Sequence, residues 1–180
     1  MRILLSNDDG VEAEGIEALV KALHEEHEVI VSAPMQQQSG MAHALTVGRT
    51  MEVARCERLE RDYQIEAWSV GGTPTDSVKL YLEAIAGEKQ PDLVISGINH
   101  GANLATDILY SGTVGAAMEG YLHRDRRGSR VTALPQPQNR DCPAFSAAAL
   151  SSRLQSLPPV LPRDTPPLLF APGTPALNYF

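Results

Sequence analysis

Met1-Arg-Ile-Leu-Leu-Ser-Asn-Asp-Asp-Gly10 is the stretch that decides the fold. Ile3 to Leu5 form a short apolar run, the mark of a buried strand. Ser6-Asn-Asp-Asp-Gly10 ends it with polar and turn-forming residues. A helical pattern follows from roughly Glu14 to His24, with Ile16, Leu19, Val20 and Leu23 on one side and Glu12, Glu14, Glu17 and Lys21 on the other. Glu28-Val-Ile-Val-Ser-Ala33 reads as a second buried strand, ended by Pro34. Strand, helix, strand is the unit that builds a parallel sheet through a right-handed crossover. It puts Asp8 and Asp9 at the carboxyl end of the first strand, where open α/β sheets bind ligands. Adjacent carboxylates repel each other, and a hard divalent cation is their usual partner. A helix cap and a turn aspartate would explain a lone Asp-Asp pair equally well. Oxygen-bearing residues at later strand ends therefore decide between the two readings.

Those residues are present. Met35 to Gly48 form a long polar loop, and Ser39-Gly40 in it could offer a hydroxyl and a flexible backbone to a ligand. Thr50 to Arg55 and Tyr63 to Val70 read as strands, joined by a charged turn from Cys56 to Asp62. Gly71-Gly-Thr-Pro-Thr-Asp76 then opens a helix, with Thr75 or Asp76 as its cap and Val78, Leu80, Leu82 and Ile85 as apolar surface. Pro91-Asp-Leu-Val-Ile-Ser96 is another buried strand, running into Gly97-Ile-Asn-His-Gly-Ala-Asn103. An Asn carbonyl is a neutral oxygen ligand for a hard cation, and the glycines allow close approach of the backbone. Ser111-Gly-Thr-Val-Gly-Ala-Ala-Met-Glu119 starts a helix with small residues and hydroxyls, the makings of an anion site. The Gly-Lys-Ser/Thr signature of a Walker loop is missing. Capping alone would also explain Ser111.

Composition narrows the function classes. A chain of 180 residues is one domain by the ~100–200 residue prior and can bury a sizeable core. A formal charge of −7 argues against gripping a nucleic-acid duplex by counterion release. It leaves a small phosphorylated substrate open, because one metal ion can reverse the sign of a local field. Cys56 and Cys142 match no metal or redox spacing, as expected of reduced thiols in a cytoplasmic protein. No signal peptide is visible, and no stretch approaches the ~20 apolar residues of a membrane span. From about Arg124 the character changes: ten of the thirteen prolines follow residue 130, and no Lys or Glu follows Glu119. This tail, 124–180, reads as extended or poorly packed, though Phe145 to Leu157 could form one helix.

The motifs Ser6-Asn-Asp-Asp-Gly10, Gln38-Ser-Gly40 with Thr46, Gly72-Thr-Pro-Thr-Asp76, Ser96-Gly-Ile-Asn-His-Gly101 with Asn103, and Tyr110-Ser-Gly-Thr-Val114 with Glu119-Gly120 resemble those of the SurE (survival protein E) family, in its order and spacing over residues 1–123. The resemblance implies a metal-dependent 5′(3′)-nucleotidase, cleaving phosphate from nucleoside monophosphates, with some members also trimming short polyphosphate. It implies an α/β, Rossmann-like three-layer sandwich with a mostly parallel sheet, here with an incomplete or irregular C-terminal part. One divalent ion per subunit, Mg²⁺ or Mn²⁺, would be held by Asp8, Asp9, Ser39 and Asn99, of which Asp8, Asp9 and Asn99 carry the catalysis. Ser111, Gly112 and Thr113 would contact the substrate phosphate. Asn7, Gly40, His100 and Asn103 are further candidates, His100 either as a proton donor to the leaving alkoxide or as a loop-structuring residue. The family pattern continues past His123 into another strand and a dimer-forming region. Arg124-Asp-Arg-Arg127 departs from that pattern, as a truncated or frame-shifted coding sequence would. The alternative function is accordingly an impaired member that only binds metal or nucleotide.

Overall fold

The computed structural model describes residues 1–101, 103 and 105–123, and the backbone of three strands beyond them. The element order is β1 (Arg2–Ser6), α1 (Glu14–Leu23), β2 (Glu28–Pro34), β3 (Val53–Arg55), α2 (Glu57–Tyr63), β4 (Glu66–Val70), α3 (Pro74–Leu80) with a π-helical turn (Tyr81–Ile85), and β5 (Leu93–Asn99). A 3₁₀ turn (Ala105–Leu109), α4 (Gly112–Leu122), β6 (Arg130–Pro135), β7 (Leu168–Leu169) and β8 (Leu177–Asn178) follow. The strands form one sheet in the order β3-β4-β2-β1-β5-β6-β7-β8. All pairs from β4 to β7 are parallel, and β3 and β8 are antiparallel to their neighbours.

The uninterrupted apolar run of β1 now has its reason. Ile3 and Leu5 face one layer, with Ile16, Leu19, Val20 and Leu23 of α1 and Leu59 of α2. Leu4 faces the other, with Val78 of α3, Tyr81 of the π turn, and Ala116 and Ala117 of α4. A central parallel strand is covered on both faces, so it alternates between two cores rather than between core and water. This is the expected three-layer α/β sandwich with a mostly parallel sheet.

Four local readings change. The connection after Arg55 is a helix, α2, not a turn, and Tyr63 ends that helix instead of starting a strand. Leu59 is its one fully buried anchor, so the sequence carries no apolar periodicity there. The strands on either side shorten to Val53–Arg55 and Glu66–Val70. The cap of α3 is Thr73: its hydroxyl accepts from the Asp76 N–H, and the Asp76 carboxylate accepts from the Thr73 N–H, a reciprocal capping box. β6 pairs in parallel with β5, so the sheet continues beyond the boundary drawn at residue 123. In the sequence its short apolar run lies between several arginines and prolines, and this flanking hides it. The helix expected at 145–157 falls outside the described residues.

An acid-sensitive tie joins α1 to α2. The Glu17 carboxylate pairs with Lys21 at 2.8 Å, accepts from Tyr63 Oη at 2.6 Å, and pairs with Arg58 at 2.9 Å. Lys21 above all, then Tyr63 and Arg58, hold its pKa down to about 2 against the ordinary 4.5. A depressed carboxylate pKa stabilises the fold above the unfolded value and loses that effect as pH falls through the folded one. Glu17→Gln is therefore expected to cost under about 1 kcal/mol at pH 7, since the ties are partly screened by water. The gap from the parent should close between pH 4.5 and about 2, as read from urea midpoints across that range. A gap that persists at the acid end would assign the loss to packing instead.

Candidate active site

β1, β2 and β5 end together, and the loops that leave them converge with the N-terminus of α4. Asn7 is fully buried and closes the first loop upon itself: the Gly10 N–H donates to its Oδ1 at 3.2 Å, and its Nδ2 donates to the Gly10 carbonyl at 2.9 Å. Asn7 thus shapes the turn that presents Asp8 and Asp9. Asp8 is 4% exposed, and its Oδ1 accepts from Thr113 Oγ1 at 2.5 Å. Gly112 lies against it so closely that a Cβ there would stand 2.9 Å from Asp8 Cβ and 3.2 Å from Oδ2. The first turn of α4 is therefore built around the Asp8 carboxylate. Burial pushes the Asp8 carboxyl upward, the Thr113 hydroxyl opposes this, and the neighbouring Asp9 charge adds to the rise. An uncompensated acid pair in this place calls for positive charge.

Asp9 is held from both sides. Its Oδ2 accepts from the backbone N–H of His100 at 2.8 Å, and its Oδ1 lies 3.4 Å from Gln37 Nε2. The same Gln37 nitrogen donates to Ser39 Oγ at 3.0 Å, so one amide bridges Asp9 and Ser39. Gln38 N–H donates to the Asp8 carbonyl at 2.7 Å, which fixes this loop against the first. Asn99 Nδ2 donates to the Gly101 carbonyl at 3.1 Å and to Asn103 Oδ1 at 3.3 Å, and among the described residues nothing donates to its own carbonyl oxygen. Asn103 is 5% exposed, and its buried Nδ2 has no partner among the described residues. Ser111 caps α4, accepting from the Val114 N–H at 3.2 Å. Gly40 adopts φ +75° with open space around it, which suits a loop that must turn sharply at the mouth of the cleft.

The hydrogen bonds thus bring Asp8, Asp9, Ser39 and Thr113 into one connected cleft, with Asn99 beside His100 at its edge. His100 contributes its backbone to Asp9, while its ring is exposed. One residue of the cleft was missed: Gln37, which carries no signal distinguishing it from Gln36 and Gln38. Thr113, expected as a phosphate contact, is placed with its hydroxyl on Asp8. Among the described residues no cluster of three or more His, Cys, Asp and Glu side chains could hold a metal. The donor set is instead two carboxylates with neutral oxygens, an all-oxygen set suited to a hard cation. The Asn99 carbonyl end and the bare backbone that Gly112 presents beside Asp8 fit that use, whereas the Asn103 Nδ2, a donor, suits an anion such as a phosphate oxygen. Among the described residues no helix is long and apolar enough to cross a membrane.

Comparison with known proteins places the chain in a family. The profile of the family described as "Survival protein SurE" matches residues 3–153. A protein from Gloeobacter violaceus named 5′-nucleotidase SurE is 53% identical over 123 residues, covering 67% of this chain and 45% of that protein. One of the same name from Anaeromyxobacter dehalogenans is 43% identical over 162 residues, covering 90% of this chain and 61% of that protein. The likeness therefore runs well past residue 123. The chain spans about half the length of the curated relatives it matches. The crystal structure of the Sure protein from Aquifex aeolicus superposes with a TM-score of 0.72 at 35% identity, over 94% of this chain and 64% of that one. A sheet order, an acid loop and a family profile that agree over most of the chain have one reading: it belongs to the SurE family.

Proposed function

We propose that the cleft hydrolyses phosphomonoesters of nucleosides, with one divalent ion, Mg²⁺ or Mn²⁺, held by Asp8, Asp9, Ser39 and Asn99. The observation that carries this is the packing of Gly112 and Thr113 against the Asp8 carboxylate, which puts a helix N-terminus beside a pair of acids. A helix N-terminus attracts phosphate, and paired acids attract a cation, so the two charges of a metal–phosphate complex each meet their complement. The bound ion would supply Lewis-acid polarisation of the phosphoryl group. Ser111, Gly112 and Thr113 bind and orient the phosphate at the α4 terminus. Thr113 pins one oxygen of Asp8. The other is left either to accept a proton from a water that displaces the nucleoside alkoxide, or itself to attack phosphorus as that alkoxide leaves, with water then hydrolysing the acyl phosphate. His100 N–H keeps Asp9 turned into the cleft. Nucleoside monophosphates, and short polyphosphate, are the substrates this reading favours, in a cytoplasmic setting consistent with the free, buried Cys56. A homo-oligomer is the assembly that the family resemblance favours.

The test is phosphate release from a generic phosphomonoester and from nucleoside monophosphates, with Mn²⁺, with Mg²⁺, and with excess chelator. Turnover with metal that disappears in chelator is the expected result. A folded protein that binds Mn²⁺ without turnover would leave only the binding function.

A further inference from the structure

The loop that carries Gln37 and Ser39 has no buried residue from 36 to 47, yet it is anchored by two buried carboxylates outside the cleft. Asp76, beyond its capping role, accepts from the Thr46 N–H at 2.9 Å and the Thr46 hydroxyl at 2.6 Å. These bonds and those from Thr73 hold its pKa down although burial opposes them. Thr73 Oγ1 donates to the Ala44 carbonyl at 2.7 Å, and Ala42 N–H donates to the Tyr110 carbonyl at 3.0 Å. Nearest to Ser39 in sequence among the side-chain ties outside the cleft is His43. Its Nε2 donates to Oε2 of Glu119, a residue 4% exposed near the far end of α4, at 2.8 Å. The other Glu119 oxygen pairs with His123 at 2.9 Å and Lys79 at 3.3 Å.

We infer that His43 is a positioning residue: its bond to the buried Glu119 latches the 36–47 loop onto α4 and so sets Ser39 beside Asp9. This rests on reading Asp8, Asp9, Ser39 and Asn99 as the metal cleft. The geometry gives a directional argument. A buried carboxylate with several partners stays put when one is removed, so Glu119 remains fixed by His123 and Lys79 in a His43 variant. Loss of His43 then frees the loop without dismantling the helix. Loss of His123 removes an equally short bond to the same carboxylate but touches no loop residue. His123 is therefore a matched control, sharing the carboxylate and differing in what it restrains.

The experiment compares the parent, His43→Ala, His43→Gln and His123→Ala in the full chain. Mn²⁺ affinity is measured by calorimetry, and amide exchange of residues 36–47 is followed in metal-free protein. His43→Ala should speed exchange at Gln38 and Ala42, whose N–H groups are tied to Asp8 and Tyr110, and weaken Mn²⁺ binding about tenfold, the low end for a supporting residue. His43→Gln, whose amide can still donate, should recover most of both effects. His123→Ala should show neither effect, although its melting temperature falls. Equal effects in the two Ala variants, or none in His43→Ala, would overturn the latch. A parent that binds no Mn²⁺ is a separate result: it removes the metal reading and this inference with it.

Discussion

Asp8→Asn and Asp9→Asn are each expected to reduce metal-dependent phosphomonoester hydrolysis by about 10³-fold in kcat/KM, or about 4 kcal/mol of transition-state stabilisation. The two should differ in what they do to the metal-free protein. Asp8 is buried, its ionised form is disfavoured by burial, and it sits next to a second negative charge. Replacing it with a neutral amide of the same shape removes that cost, and the Asn carbonyl can still accept from Thr113. Metal-free Asp8→Asn should therefore melt higher than the parent, by about 1 kcal/mol or a few degrees for a domain of this size. Asp9 gives no such gain, because it stands nearer the surface and its partner is the His100 N–H. Added Mn²⁺ should raise the melting temperature of the parent but of neither variant. A buried acid that weakens the empty fold yet is needed for turnover is the signature of a functional charge. A rate within tenfold of the parent for either variant would remove that aspartate from the mechanism. A lower melting temperature for metal-free Asp8→Asn would show the carboxylate to be structural.

How far the sequence was legible depends on the range over which each signal acts. The central strands were readable because burial on both faces writes a continuous apolar run, as in Ile3 to Leu5 and Leu93 to Ile95. The loops of the cleft were readable because glycine, serine and asparagine gather where a helical or strand period stops. α2 was hidden because it buries only Leu59, so the charged residues around it looked like a turn. Its boundary with β4 is set by Gln64 in the left-handed region, a conformation that no residue type announces for glutamine. β6 was hidden by its flanks, and its pairing with β5 and β7 gives it a place. The supports of the site were hardest of all. His43 and Glu119 are 76 residues apart, and Asp76 meets Thr46 across 30. Sequence spacing shows which residues could be ligands; only the packed structure shows which residues hold the ligands still.

Gly115→Ala should be strongly damaging although it adds a single carbon atom near the cleft. Gly115 lies inside α4, where alanine would normally favour the helix by ~0.5–1 kcal/mol. Here a Cβ would stand 2.1 Å from the Ala42 carbonyl oxygen and 3.0 Å from His43 Cα. Both obstacles are backbone, so a side-chain rotation cannot relieve the clash, and the 36–47 loop has to move away from the helix. Overpacking of this kind costs about 1–3 kcal/mol. That movement would also draw Ser39 from Asp9, so kcat/KM at fixed metal should fall about 100-fold, with part of the loss recovered at higher Mn²⁺. Gly120→Ala separates the two consequences. Its Cβ would meet the Val94 side chain at 2.9–3.0 Å beneath the same helix, in the core and away from the loop. That variant should lose comparable stability in urea unfolding while keeping the parent's Mn²⁺ affinity. If Gly115→Ala also keeps that affinity, the loop's seat on α4 concerns stability alone. If it loses affinity and Gly120→Ala does not, the close approach of loop and helix at Gly115 is what keeps the cation ligands together.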